Sequence, residues 1–254
     1  MSPRTSPPPP ISMKRHLTAL ASSLALFITS QISALAGPTL EAVTFASDPG
    51  SLYVPLQEVA QALHWVIRRN PDGQCTQLHL TPVPPGSLRQ LGDGRELLHS
   101  LSLQQVGATL LPLPGHTLVR RGRYDCTLVA SPKRVEVNLA TQQLRAWQGP
   151  RLVLQSHISS GRNGRTPTGQ FRVGPFRARM HYSNRYQRAP MPYSVQINGH
   201  IFIHGYSSVP HFPASHGCIR LPLDGLNPAK FFFEWVDNGS PVQVLQGSPQ
   251  NPRS

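Results

Sequence analysis

His204-Gly205-Tyr206-Ser207-Ser208-Val209-Pro210-His211-Phe212-Pro213-Ala214-Ser215-His216-Gly217-Cys218-Ile219-Arg220-Leu221 is the stretch from which the rest of the chain is read. It sets His204, His216 and Cys218 within fifteen residues, among glycines, prolines and serines. The thiolate is the reactive form of cysteine, and imidazole is the side chain suited to generate it near neutral pH. A His-Cys pair in a loop after an apolar strand points to nucleophilic catalysis. His204, Cys218 and His216 are the expected catalytic residues, with His216 assisting or orienting; the alternative for Cys218 is an inert buried thiol, and for His216 a hydrogen bond that braces the loop.

Immediately upstream, Tyr193 to Ile197 and His200 to His204 alternate in polarity around Asn198-Gly199, a favoured two-residue hairpin turn. Period-two alternation puts Ile201 and Ile203 on one face, and His200, Phe202 and His204 on the other. His204 therefore ends a strand, where a general base holds its geometry better than His216 in a loop. His211, between Pro210 and Phe212, reads as a surface residue.

Working outward, residues 131–247 read as one β-rich domain. Arg134 to Leu139 and Gln143 to Trp147 alternate cleanly, Gln148-Gly149-Pro150 turns the chain, and Leu152 to Ile158 follows as strand. Gly161 to Gly169 is a loop, Phe171 to Val173 a strand, and 174–192 an arginine-rich loop. After the His-Cys stretch, Asn227-Pro228 pairs a helix cap with proline at the first helical position, and Phe231, Phe232 and Trp235 supply the apolar stripe. Pro241 to Leu245 closes as strand, and 248–254 reads as a disordered tail.

Residues 38–115 read as a small α+β unit. Leu52 to Leu56 is a strand, Gln57 to Leu63 a helix with Val59, Ala60 and Leu63 on one face, and Trp65 to Ile67 and Leu78 to Leu80 further strands. A similar cycle recurs from Leu97 to Leu110. Residues 116–130, with Arg120, Arg121 and Arg123, read as a basic linker. Nothing in 38–115 gathers nucleophiles or carboxylates, so a stalk or wall-binding role is expected there.

The start gives an address. Met13-Lys14-Arg15-His16 precedes an apolar run from Leu17 to Ile28, and Ala34-Leu35-Ala36 supplies the small residues of a cleavage site. Residues 1–36 thus read as a signal peptide, with Met1 or Met13 as the start and an uncleaved anchor as the alternative. Export to the periplasm or the outer face of a bacterium is expected. The 254 residues carry a net charge of +13 and 27 prolines, which favours a loop- and strand-rich chain with anionic partners such as a cell-wall polymer. No long Lys/Arg run or aromatic-basic interleaving suggests a nucleic-acid groove. Three cysteines in an oxidising compartment leave one unpaired. Either Cys75 and Cys126 form a disulfide with Cys218 free, or Cys75 and Cys126 are two unpaired buried thiols.

Ser215-His216-Gly217-Cys218-Ile219-Arg220-Leu221, with Ile203-His204-Gly205 upstream, closely resembles the signature of the L,D-transpeptidases, whose catalytic domain is of the YkuD type. Ser160-Gly161, Thr166-Pro167-Thr168-Gly169 and Met191-Pro192-Tyr193-Ser194 fall in the order that family uses. The Tyr53-Val54-Pro55-Leu56 segment, with its following helix and Trp65 strand, resembles the small N-terminal domain of copper amine oxidases, which implies a stalk or binding module and no copper. The resemblances imply a mainly β fold with short helices: a β-sandwich-like L,D-transpeptidase catalytic domain preceded by a small α+β domain.

They also imply a covalent mechanism on peptidoglycan stem peptides, in a monomer without cofactor or metal. Cys218 would attack the amide between the third and fourth stem residues, release the terminal D-amino acid and hold the acyl group as a thioester. His204 would take the thiol proton and later deprotonate the acceptor amine, giving a 3→3 cross-link or the anchoring of a wall protein. Backbone N–H groups of Gly217 and Cys218 would hold the oxyanion, with Arg220, Tyr193, Met191, Ser215 and Tyr206 toward substrate. For Arg220 the alternative is bracing against backbone carbonyls. The interval from His204 to Cys218 is short for the family, so specificity is expected in the covering segment Tyr206 to Ala214. Leu221-Pro222 stands where an asparagine often follows the cysteine.

Three other functions compete. A Cys-dependent L,D-carboxypeptidase or endopeptidase differs only in using water as acceptor. A zinc hydrolase would draw on His200, His204, His211, His216 and Cys218, but no Asp or Glu lies between His200 and Cys218 to serve as base. A non-catalytic wall-binding protein would have no use for the His-Cys pair.

Overall fold

Alternating apolar and polar residues set up the strands of this chain, and the computed structural model, which describes residues 37–247, is mainly β with three short α-helices. The expected signal peptide and the expected tail over 248–254 lie outside the described residues.

In chain order the first part contains β1 (Thr39–Glu41), β2 (Val43–Phe45), β3 (Asp48–Pro55), α1 (Leu56–Ala62), β4 (Ile67–Arg69), β5 (Cys75–Leu78) and β6 (Thr81–Pro82). It continues with β7 (Leu88–Gln90), β8 (Glu96–His99), α2 (Ser102–Gln105), β9 (Thr109–Leu113), β10 (His116–Arg121) and β11 (Tyr124–Val129). The second part holds β12 (Lys133–Asn138), β13 (Gln143–Gln148), β14 (Arg151–His157), β15 (Gly169–Arg172) and β16 (Arg177–Tyr182). It ends with β17 (Pro190–Asn198), β18 (Ile201–Tyr206), β19 (Ile219–Pro222), α3 (Pro228–Trp235) and β20 (Pro241–Leu245).

The strands of the first part form three small sheets, ordered β1-β11-β10-β9, β2-β3-β8-β7 and β4-β5-β6. Residues 116–130 are not a linker. They form the hairpin β10–β11, with Val119, Cys126 and Leu128 buried, Arg120 and Arg123 exposed, and Arg121 donating to the Leu63 carbonyl at 2.8 Å. Those arginines are what hid the alternation. Cys75 and Cys126 are both buried and both free, which overturns the disulfide expectation. They sit on strands of different sheets, and the Cys75 thiol donates instead to the Gln77 carbonyl at 3.6 Å.

The second part builds two sheets, β14-β13-β12-β20-β15 and β16-β17-β18-β19. Their inner faces, Val135, Val137, Leu144, Ile203 and Ile219 among them, share one core with the stripe of α3, in which Phe232 and Trp235 are fully buried. Asn227 caps this helix as its sequence requires, accepting the Lys230 N–H at 3.0 Å. Val43, Phe45, Tyr53, Leu91 and Leu97 from the first part belong to the same core, with Phe45 edge-on to Phe231 at 5.8 Å. Arg151 adds a two-pronged pair to Glu58 at 2.7 and 2.6 Å, a geometry suited to guanidinium and carboxylate.

Two local expectations shift in ways that matter for the site. The stretch 174–192 is not a loop: Arg177–Tyr182 is strand β16, which pairs antiparallel with β17. The β17–β18 hairpin turns on Gly199-His200 rather than Asn198-Gly199, because Asn198 stays in the ladder opposite Ile201. A register shift between Gln196 and Asn198 accompanies this displacement.

Candidate active site

Strands β18 and β19 run parallel, with His204 opposite Arg220 and Ile203 opposite Ile219. Side chains alternate along a strand, so this register sends the two isoleucines into the core. The same register sends Phe202, His204, Cys218 and Arg220 to the opposite face. All four line one cavity of about 410 Å³.

The cysteine loop is fixed from below by the chain following β14. Ser159 exchanges backbone hydrogen bonds with Arg220 in both directions, at 3.1 and 3.0 Å, and its hydroxyl donates to the Phe212 carbonyl at 2.8 Å. The Ser160 carbonyl accepts the N–H groups of Ala214 and Ser215. Ser160 is itself held by the buried Gln142, whose side chain accepts the Ser160 N–H at 2.8 Å and donates to its hydroxyl at 2.9 Å.

The Ser-Gly and Thr-Pro-Thr-Gly motifs explain themselves here. Thr166 Oγ1 accepts the Gly161 N–H at 2.7 Å and donates to the Gly217 carbonyl at 2.7 Å. A Cβ on Gly161 would stand 2.8 Å from Gly217 Cα, so only glycine allows the two segments this close. Gly217 has φ 143°, in the region that favours glycine.

His204 is buried, and its Nδ1 lies 2.8 Å from the Gly205 carbonyl. A carbonyl only accepts, so Nδ1 carries the proton and Nε2 keeps its lone pair. Burial pulls the imidazole pKa down to about 4, the Gly205 hydrogen bond opposes this, and Arg220 and His181 add to the lowering. The Cys218 thiol donates to the His200 carbonyl at 3.5 Å. Burial pushes its pKa up, against a backbone hydrogen bond from Phe202 and the charge of Arg220. Both directions keep the thiol protonated and the imidazole neutral.

His216 lies at the rim. Its Nε2 is 2.7 Å from Arg162 Nη2, and its ring stacks on Tyr186 at 4.1 Å. Arginine only donates, so His216 Nε2 accepts and the ring is neutral. Desolvation, then Arg162, Arg220 and Arg165, lower its pKa. This is the bracing role weighed for His216. Arg220 lays its guanidinium over the Tyr206 ring at 4.0 Å.

Several expectations for the site need correction. Gly217 N–H is donated to Ser215 Oγ at 3.0 Å, so of the two expected oxyanion donors it is already engaged. Ser215 lines the cavity but is almost wholly buried, and its hydroxyl also donates to the Cys218 carbonyl at 2.6 Å, so it braces the loop. Tyr193 does not line the cavity. Its backbone is left-handed (φ 53°), and its ring packs near Phe233 of α3, 5.9 Å away. Met191 and Tyr206 do line it. The cover comes from the hairpin tip Ser183 to Ala189, since residues 207–214 contribute nothing to the cavity wall.

Sequence reading missed Gln142, Arg162, His181 and Tyr186. Gln142 carries no motif. The other three are separated from the cysteine by long stretches of chain and meet it only through the sheet. His181 is edge-on to Phe176 at 5.1 Å and tilted over Phe202 at 5.5 Å, giving the cavity an aromatic wall. Among the described residues no three His, Cys, Asp or Glu side chains gather as a metal site. His211 stacks on His157 at 4.3 Å, outside the cavity wall.

Residues 132–244 match the family model of the L,D-transpeptidase catalytic domain, YkuD. The resemblance of residues 38–115 to the amine oxidase module rests on sequence alone. Among solved structures, the L,D-transpeptidase of Stackebrandtia nassauensis is 26% identical over 47% of this chain and 58% of its own, with a TM-score of 0.42. That of Xylanimonas cellulosilytica is 30% identical over 45% of this chain and 60% of its own, with a TM-score of 0.39. An L,D-transpeptidase of Mycobacterium tuberculosis is 14% identical over 83% of this chain and 95% of its own, with a TM-score of 0.42. The chain thus spans less than two thirds of the length of the first two. No curated protein matches it.

Proposed function

We propose that the chain is an exported peptidoglycan L,D-transpeptidase with Cys218 as nucleophile and His204 as general base. The observation that carries this reading is the shared cavity face of Cys218 and His204, with His204 Nδ1 committed to Gly205 so that Nε2 remains to take a proton. Cys218 Sγ attacks the carbonyl of the third stem residue while its proton passes to His204 Nε2. The tetrahedral oxyanion meets the Cys218 N–H, because the Gly217 N–H is engaged with Ser215. Collapse breaks the amide, His204 returns the proton to the departing D-amino acid, and a thioester remains on Cys218. An acceptor amine then gives its proton to His204 and attacks the thioester, freeing the cysteine. The acceptor is a second stem or a protein destined for the wall.

Mass spectrometry of the protein incubated with a tetrapeptide stem tests this. The expected result is an acyl adduct on Cys218 with loss of the terminal residue, absent in Cys218→Ala. Release of a tripeptide with no cross-linked product would reassign the enzyme to L,D-carboxypeptidase chemistry, and no adduct or product at all would defeat the reading. A carbapenem adduct on Cys218 is a simpler surrogate for the same nucleophile.

A further inference from the structure

The cavity wall carries Arg185, Arg220 and the imidazoles of His181, His200, His204 and His216, and not one carboxylate. The ion pairs among the described residues use neither arginine of the wall. Arg220 spends only the face of its guanidinium, on Tyr206, which leaves its N–H edge for a ligand. Arg185 arrives from a different element, the tip of the β16–β17 hairpin, where its backbone N–H donates to the Ser183 hydroxyl. Two arginines outside any ion pair, an exposed Arg185 at the rim and a half-buried Arg220, line one cavity from separate elements and leave it with an unbalanced positive charge. Such a site is complementary to more than one anionic group on the same ligand.

A stem peptide cleaved at its last linkage always presents one carboxylate, that of its terminus. That group occupies one guanidinium and leaves the other unanswered. We infer that the cavity selects acyl donors bearing a second free carboxylate along the stem, and that Arg185 and Arg220 together read the two charges. A donor whose second carboxylate is masked as a carboxamide fits the same volume but leaves one guanidinium without its counter-charge, so it binds less tightly. This inference rests on the transpeptidase reading for its donor, while the charge argument stands on the cavity alone.

Two stem tetrapeptides identical except for a carboxylate or carboxamide at a residue before the scissile bond provide the test. Their acylation of Cys218 is followed by mass spectrometry, and their binding to Cys218→Ala by calorimetry. The free acid should acylate faster and bind tighter, each by about tenfold, a ratio that shrinks with added salt. Arg185→Gln should bring both ratios close to unity, and Arg185→Lys should keep part of them as a point charge. Equal binding of the two peptides by Cys218→Ala, or an acid preference untouched by Arg185→Gln, would overturn the inference. Failure of both peptides to acylate, with the binding preference intact, would overturn the reaction and leave the charge selection standing.

Discussion

Thr166 Oγ1 reaches across to the Gly217 carbonyl at 2.7 Å and so ties the loop after β14 to the residue preceding Cys218. The bond is buried and the hydroxyl is doubly used, since it also accepts from Gly161. Thr166→Val keeps the shape and removes both bonds, leaving a carbonyl and an N–H without partners at a cost of about 1–3 kcal/mol. Acylation should slow by about tenfold or more with little change in thermal midpoint beyond that cost. Thr166→Ser should restore most of the rate, because it restores the hydroxyl.

Gly161→Ala tests the close approach of the same two segments. Its Cβ would meet the Thr166 N and the Gly217 Cα at 2.8 Å, both backbone atoms that yield only by moving the cysteine loop. The expected result is a loss of about 1–3 kcal/mol in stability together with a lower rate of Cys218 acylation. Full stability by denaturant titration with full acylation would show that the loop is free to shift.

The pH dependence follows from His204. Its folded pKa, about 4, is depressed from 6.5, so between these values the unfolded chain binds a proton that the native state refuses. The native state's advantage is therefore complete above 6.5 and is lost as pH falls through that window, by about 3 kcal/mol in total. Thermal midpoints at pH 7 and pH 4.5 should diverge more in the native chain than in His204→Asn. The same neutral imidazole should keep kcat/KM for acylation level through neutrality, with its acid limb near pH 4. An acid limb near 6.5 would contradict the buried placement of the ring.

Tyr186 and Tyr193 were both near the cysteine in expectation or in space, and their fates differ. Tyr186 stacks on His216 at the cavity rim, whereas Tyr193 turns its ring toward α3. Tyr186→Ala should raise KM for a stem peptide severalfold, because it removes the hairpin tip's contact with the rim. Tyr193→Phe should leave KM and kcat unchanged, since its hydroxyl does not face the cavity. The reverse pattern in steady-state kinetics would assign the cover to another segment.

The parts of this molecule that were legible in sequence are those carried by short-range patterns. The β18 strand, the capped α3 and the closing β20 follow from alternation, Asn227-Pro228 and an apolar stripe. Cys218 and His204 stood out by residue type and short spacing, but the expectation that His204 ends its strand is corrected: β18 runs on through Gly205 to Tyr206, paired with β19. Two things were not legible. Strand β16 is written Arg-Ala-Arg-Met-His-Tyr, and because one of its faces lines an open cavity, neither face reads as core. The supports of the site, Gln142 beneath Ser160 and Arg162 beside His216, are polar residues whose partners lie far off in sequence, so no spacing betrays them. Tyr193 failed for a further reason: a left-handed backbone at one position reverses where a side chain points, and period-two counting passes over it.

Strand β20 is the last described element, yet it lies inside its sheet, hydrogen-bonded to β12 on one side and β15 on the other. The pairing of Val135 with Val242 spans nearly the whole second part, so closing it costs loop entropy before it returns any contact. This sheet therefore cannot complete before residues 241–245 have been made. The loop that carries Cys218 is thus made before the strand that completes its domain's larger sheet, and folding should show a slow, late phase that Val242→Ala lengthens.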